Sequence, residues 1–223
     1  MRSGRIAAKT RDRSSPASAL RRRLSPFRSS AATPICGQLS VAILGRARTL
    51  LTSFDARPGD RLIAAIDLRG RYREPFANWD AATDAPSARL RLDLELLPRI
   101  AEAGLCRAAK DISQAGIVGT AAMLAECSRV AITLDVPAFP KPGSAPIDRW
   151  LVTFPSFGYL LAVAPRDVGA VIRLFAERDI AAADIGGAVE GNRVTIADGQ
   201  AIEVIWDFDR MPLIGARRRK SGA

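Results

Sequence analysis

The sequence predicts an α+β fold, a layered α/β/α domain with a mixed sheet. Three observations predict it. Strand-like and helix-like segments alternate through the middle of the chain, as layered α and β proteins require. The C-terminal third instead carries hairpin signals, Gly191-Asn192 and Asp198-Gly199, which join short apolar runs directly. The chain is 48% hydrophobic but only 6% aromatic, so its core must be built from Ala, Leu, Ile and Val. A uniform doubly wound sheet would lack the hairpins, and no internal repeat is visible.

Each element has its own reason. Leu39–Gly45 is a short branched apolar run ending in Gly, a buried strand. Pro58-Gly59-Asp60 is a turn, and residues 61–68 form the next strand, closed by Gly70. Residues 71–86 are polar and Pro-containing around Trp79, a long loop of the kind that often carries function. Over 88–103, Leu92, Leu96, Leu97 and Ile100 share one helical face and Gly104 supplies the stop. A second helix is expected from Ile117 to Ser128, with Ile117, Ala121, Leu124 and Cys127 on one side. Strands are expected at 130–134, 159–163, 184–189, 192–196 and 201–206, with a Pro-rich loop at 137–146. A helix at 166–178 should turn Val168, Val171, Ile172 and Phe175 inward. Trp150 and Trp206 are expected as core anchors.

Charge is concentrated at the ends. Residues 1–40 hold nine Lys or Arg against the single acid Asp12, a net +8, and Arg217–Lys220 add +4. The total is +10, so residues 41–216 are slightly acidic at −2. The folded part therefore offers no polyanion-binding surface, and nucleic acid is not an expected partner. Residues 1–38 read as a disordered basic segment, too poor in apolar residues to offset the entropy of ordering. A transit peptide, a basic arm and non-native sequence are all compatible with it. Residues 211–223 read as a basic tail. With no histidine, and cysteines only at 36, 106 and 127, His-based catalysis and the common zinc sites are excluded. The cysteines read as small buried hydrophobes in a reducing compartment. No apolar run approaches a membrane span.

The segment Lys110-Asp111-Ile112-Ser113-Gln114-Ala115-Gly116-Ile117 carries the candidate chemistry. Ser113 is placed to cap the helix that follows, and a helix start favours a phosphate. Asp111 is placed to hold Mg²⁺, which needs few protein ligands when phosphates supply the rest. Lys110 can balance negative charge, and Gly116 permits close approach. The simpler reading is a helix cap followed by tight packing. Arg69, Arg71 and Arg73 read as solvated, or as a clamp for an anion.

This segment resembles a motif in the superfamily of AIR synthase, thiamine-monophosphate kinase, selenophosphate synthetase and the hydrogenase-maturation dehydratase. There, Asp, a residue, Ser or Thr, two residues, Gly, then Leu or Ile open the first long helix of the C-terminal domain; Asp111, Ser113, Gly116 and Ile117 match. Gly59–Ile63, Asp67–Gly70, Trp79–Thr83, Met123–Ser128, Ile132–Pro137 and Ser156–Leu161 fall in the same order, most like the uncharacterised AIR-synthase-related branch. The resemblance covers about 39–208. Thiamine-monophosphate kinase tends to have a second Asp and a Gly where this chain has Gln114 and Ala115, which argues against that activity.

The resemblance implies an AIR synthase C-terminal fold over 59–210, with 39–58 a remnant strand and linker of the N-terminal domain, the rest of that domain being absent. It implies the C-terminal half of an ATP-dependent enzyme phosphorylating or ligating a small molecule, truncated and inactive alone. ATP and Mg²⁺ are the implied cofactors, Asp111 the metal ligand, and Lys110, Ser113, Gly116 and Arg69 the phosphate or substrate contacts. A cytoplasmic location and a homodimer in the intact family follow from the same resemblance. A non-enzymatic interaction module, or a basic-tailed nucleic-acid binder, is the alternative.

Overall fold

A computed structural model describes residues 46–199 and 201–215. The expected strand at 39–45, the segment 1–38 and residues 216–223 lie outside the described residues.

Among the described residues, ten strands form two sheets. The larger contains β1 (Arg61–Ile66), β4 (Ala108–Asp111), β5 (Ala131–Asp135), β7 (Gly158–Val163), β8 (Ala181–Val189), β9 (Arg193–Asp198) and β10 (Ala201–Asp207). Its order is β10-β9-β5-β8-β1-β7-β4. The pairing is mixed: β5 runs parallel to β9, and the other neighbours are antiparallel. A small sheet joins β2 (Arg71–Tyr72), β3 (Asn78–Asp80) and β6 (Phe154–Pro155). The α-helices among the described residues are α1 (Ser87–Leu94), α2 (Leu96–Glu102), α3 (Gly116–Ser128), α4 (Ile147–Trp150) and α5 (Val168–Ala176).

The layers follow from the two-residue period of a strand. In β1, Leu62, Ala64 and Ile66 join one core cluster and Ile63 and Ala65 another, so both faces of this central strand are covered. The first cluster packs α3 through Ile117, Val118, Ala121, Leu124 and Ala125. The second packs α2 and α5 through Leu96, Ile100, Val171 and Phe175. Sheet between helices is the expected architecture.

Several elements differ from the sequence reading. The helix expected over 88–103 is two helices broken at Glu95. Pro98 is the cause: it has no N–H for the Leu94 carbonyl, and its ring crowds that carbonyl. The break leaves Leu92, expected inward, exposed. The 71–86 loop contains β2 and β3, with Trp79 buried in the middle of β3 and its indole donating to the Asp67 carbonyl at 3.0 Å. The strand β4 was not expected, being four residues long with a Lys-Asp end. Trp150 is a core anchor as expected, whereas Trp206 is half-buried. Residues 211–215, expected in the basic tail, fold back on α3. There the buried Glu126 carboxylate accepts the N–H groups of Leu213 (3.0 Å), Ile214 (2.7 Å) and Gly215 (3.3 Å).

Candidate active site and groove

One end of the large sheet gathers the candidate residues. There β1 and β4 end while β7 begins between them, with Ile66 opposite Gly158 and Asp111 opposite Tyr159. The loops continue the pairing: Asp67 N–H donates to the Phe157 carbonyl at 3.1 Å and Ile112 N–H to the Gly158 carbonyl at 2.8 Å. The chain segments carrying Arg69 and Asp111 thus leave strands two spacings apart, roughly 10 Å.

Lys110, partly buried, and Asp111, exposed, end β4. The Lys110 ammonium lies against the Asp111 carboxylate, whose side chain is 60% exposed. Tyr159, opposite Asp111, has its phenol pKa raised, first by burial and then by the Asp111 charge. Ser113 does not cap the helix. Its own N–H donates to the buried Thr120 hydroxyl at 3.0 Å, and the helix begins after Ala115, which takes a left-handed φ of 75°. Gly116 also has positive φ, 65°, and a Cβ there would stand 2.5 Å from the Leu151 carbonyl oxygen. That carbonyl accepts the Val118 N–H at 3.5 Å. The first turn of α3 is therefore partly committed to packing on residues 151–152. Gly119 makes room for the Ala115 side chain, since its own Cβ would lie 2.5 Å from the Ala115 Cβ.

Arg69 belongs to an ion network. It donates to Asp67 at 2.8 Å and Asp93 at 3.3 Å, both buried; Arg89 reaches Asp67 at 3.3 Å and Arg178 reaches Asp93 at 2.9 Å. Arg69 also lies 3.9 Å from the exposed Asp179, so three guanidinium groups meet three carboxylates, and the buried Arg89 Nε, 3.8 Å from Asp93, has no hydrogen-bond partner among the described residues. The Asp67 hydrogen bond raises the Arg69 pKa. Arg71 pairs with Asp84 and Arg73 with Asp80, both at the surface. None of the three is a bare solvated charge.

The α3 start also walls a groove of about 1050 Å³, bounded by Gln114, Val118 and Met123 on one side and Trp206, Met211 and Ile214 on the other. Sequence reasoning missed this groove, the Arg69 network and Glu126. One signal was present: Glu126 and Thr120 are polar positions in an otherwise apolar helix.

Among the described residues the cysteines are structural, and Cys36 lies outside them. Cys106 is buried, its Sγ donating to the Ala108 and Ala162 carbonyls, and burial pushes its thiol up to about 12. Burial also raises the half-buried Cys127. Among the described residues, no three His, Cys, Asp or Glu side chains gather as a metal site. No helix there is long and apolar enough to cross a membrane.

The family described as AIR synthase related protein, C-terminal domain, matches residues 74–199, more than half of the chain. The chain belongs to this family. A relative from Synechocystis sp., described as an uncharacterized protein, is 42% identical over 179 residues, 79% of this chain and 55% of its own length. One from Methanocaldococcus jannaschii is 33% identical over 184 residues, 81% of this chain and 57% of its own. The chain thus spans about half the length of these relatives. Solved structures agree on the AIR synthase-like fold. Thermotoga maritima PurL complexed with ATP superimposes with a TM-score of 0.56 at 13% identity, over 70% of this chain and 26% of its own. The PurLQS assembly of the same organism gives 0.58 at 14%, over 70% and 27%. The HypE–HypF complex gives 0.54 at 15%, over 70% and 55%.

Proposed function

We propose that this domain is the substrate-side half of an ATP-dependent enzyme that phosphorylates or ligates a small molecule, completed by a nucleotide-binding domain and inactive without it. The observation that carries the reading is the placement of Lys110 and Asp111. They are a charged pair at the end of β4, Asp111 exposed and Lys110 partly buried, at the end of the sheet where the loops 67–86, 111–116 and 151–158 converge. Family membership supports it, as do fold neighbours solved with ATP.

The donor set suits an Mg²⁺ carried by a nucleotide better than an ion held by this domain alone. Asp111 offers one exposed carboxylate, and phosphate oxygens and water would complete the shell. Bound there, Mg²⁺ would neutralise charge on the transferred phosphoryl group. Lys110 would then leave Asp111 for a phosphate oxygen, while the Arg69 network holds the facing loop rigid. Ser113 and Gly116 fix the backbone of this loop, with Ser113 keeping its hydroxyl for a phosphate or substrate. The reading places the protein in the cytoplasm and in a homodimer.

The test supplies in trans the part of the Synechocystis relative that this chain does not span, and follows ADP release with ATP and Mg²⁺. The chain alone should release none, and the assembled pair should. Asp111→Asn and Lys110→Met should each remove at least 90% of the activity, of the order expected when a charged transition-state contact is lost. ADP release by the chain alone, or an assembly indifferent to both substitutions, would overturn the reading.

A further inference from the structure

The groove beside α3 is a built cavity with two unlike ends. One wall is the apolar face of α3, with Val118 and Ala122 buried and Met123 at its edge. The other is β10 and the strap that follows it. Both parts of that wall are pinned. The Trp206 indole donates to the Met211 carbonyl at 2.9 Å, and Glu126 holds three consecutive strap amides. At the rim, Arg193 pairs with Asp207 at 2.9 Å and Arg210 reaches the same carboxylate at 3.9 Å, with its side chain 86% exposed. Two guanidinium groups share one carboxylate, so the rim keeps a positive charge. In sequence, Arg217–Lys220 begin only three residues beyond Ile214. A mostly apolar cleft of this size with a few converging polar groups has the character of a small-molecule site.

We infer that this groove binds a small apolar monoanion, an aromatic or branched-chain carboxylate or sulfonate. Its apolar body lies between Val118, Ala122, Met123 and Trp206, and its anionic group faces Arg210 and Arg193. The groove borders the loop of the phosphoryl chemistry proposed above, sharing Gln114 and Ala115 at the start of α3, but needs neither ATP nor a second domain.

Two fluorescent probes with the same ring system separate the charge from the apolar contact: anilinonaphthalene sulfonate and the neutral phenylnaphthylamine. Titrated into the full chain, both should saturate at one probe per chain, the sulfonate about fivefold tighter, as one exposed ionic contact allows. Arg210→Gln should erase most of that difference and leave the neutral probe unchanged. Val204→Glu, at an exposed position in the groove wall, should weaken the sulfonate more than the neutral probe. Ala122→Phe should fill the cleft and weaken both about tenfold or more, with a thermal melt by circular dichroism verifying its fold. Should that variant fail to fold, Val204→Glu and Arg210→Gln carry the test. Arg166→Gln, an exposed arginine outside the groove, should change nothing. Equal affinity for the two probes, non-saturable binding, or binding unchanged by Arg210→Gln and Val204→Glu would overturn the assignment.

Discussion

Removing the Glu126 carboxylate should release the strap over residues 211–215 and cost about 3 kcal/mol of stability, toward the low end of what breaking a buried charged contact costs. The carboxylate is fully buried and accepts three consecutive backbone N–H groups at 2.7–3.3 Å. A hydrogen bond to a charged group contributes about 1.5–3 kcal/mol net, so three would sum to roughly 4.5–9 kcal/mol if all donors stayed buried when unpaired. They need not stay buried. The strap follows the edge strand β10, so it can peel away and return its amides to water, which caps the loss at the energy of docking the strap. Glu126→Gln keeps the shape and one acceptor oxygen but turns an NH₂ toward backbone donors, and should cost about 1.5–2 kcal/mol by the loss of one charged bond. Urea denaturation monitored by tryptophan fluorescence measures both. In Glu126→Ala the m-value should also fall, because a native state with a detached strap exposes less new surface on unfolding. Trypsin should then cut after Arg210 faster than in the parent chain. Both variants within about 0.5 kcal/mol of the parent, the range of ordinary surface substitutions, would refute the latch.

Neighbouring positions 115 and 116 should respond in opposite directions. Gly116→Ala should destabilise by about 2–3 kcal/mol, from positive-φ strain plus the Leu151 clash, whereas Ala115→Gly should stabilise by about 0.5–1 kcal/mol because Ala115 holds a φ that glycine adopts freely. Denaturation midpoints decide both, and the same sign at the two positions would contradict the backbone argument. Asp93→Ala should cost about 3–5 kcal/mol, since it leaves Arg69, Arg89 and Arg178 around one remaining buried carboxylate; a melting temperature within two degrees of the parent, a shift worth about 1 kcal/mol or less, would refute it. The Thr83 backbone N–H, with the Thr83 side chain, Arg73 and the Ala82 N–H, holds the Asp80 carboxyl well below the usual carboxylate range. With a depressed folded pKa, its stabilisation is complete above the unfolded value of about 3.9 and is lost as pH falls below it; Asp80→Asn should flatten the stability profile there, and an unchanged acid limb would contradict the assignment. With its thiol pushed to about 12 by burial, Cys106 should escape iodoacetamide at pH 8 until the chain unfolds; mass-spectrometric detection of labelling in the native protein would contradict this.

The parts of the fold legible in the sequence are those where one local signal decides. The period of α3 and the Gly-Asn and Asp-Gly turns set elements within a residue or two of where they stand. The misses come where tertiary contacts decide. Leu92 looked inward on a regular helical wheel, but Pro98 breaks that helix one turn earlier than the leucine spacing suggests. β4 has no strand signal of its own; β7 makes it a strand by pairing with all four of its residues. The candidate site was legible as a segment and not as a set of contacts. Asp111 and Lys110 stand at a strand end as a site would need, whereas Arg69 read as loop charge because its partners Asp93 and Asp179 lie 24 and 110 positions away in sequence. The groove depends on a strap whose residues, Met211 to Ile214, carry no pattern until Glu126 gathers them.

The Lys110–Ile117 segment separates into two kinds of residue, and the separation tells which substitutions can report on function. Ala115, Gly116 and Thr120 have full structural explanations: a left-handed turn, a backbone contact at 2.5 Å and a hydroxyl that holds the loop. Their replacement would damage the fold whether or not the segment has any chemistry, so lost activity there would not discriminate. Lys110 and Asp111 differ. They pair chiefly with each other at the surface, an arrangement worth about 0–1 kcal/mol, and the strand beneath them is held by backbone bonds to β7. Neutralising either should leave the fold intact. Any loss of ATP turnover it causes in the assembled enzyme would therefore measure the contact with the reacting phosphate, and not the stability of the domain that presents it.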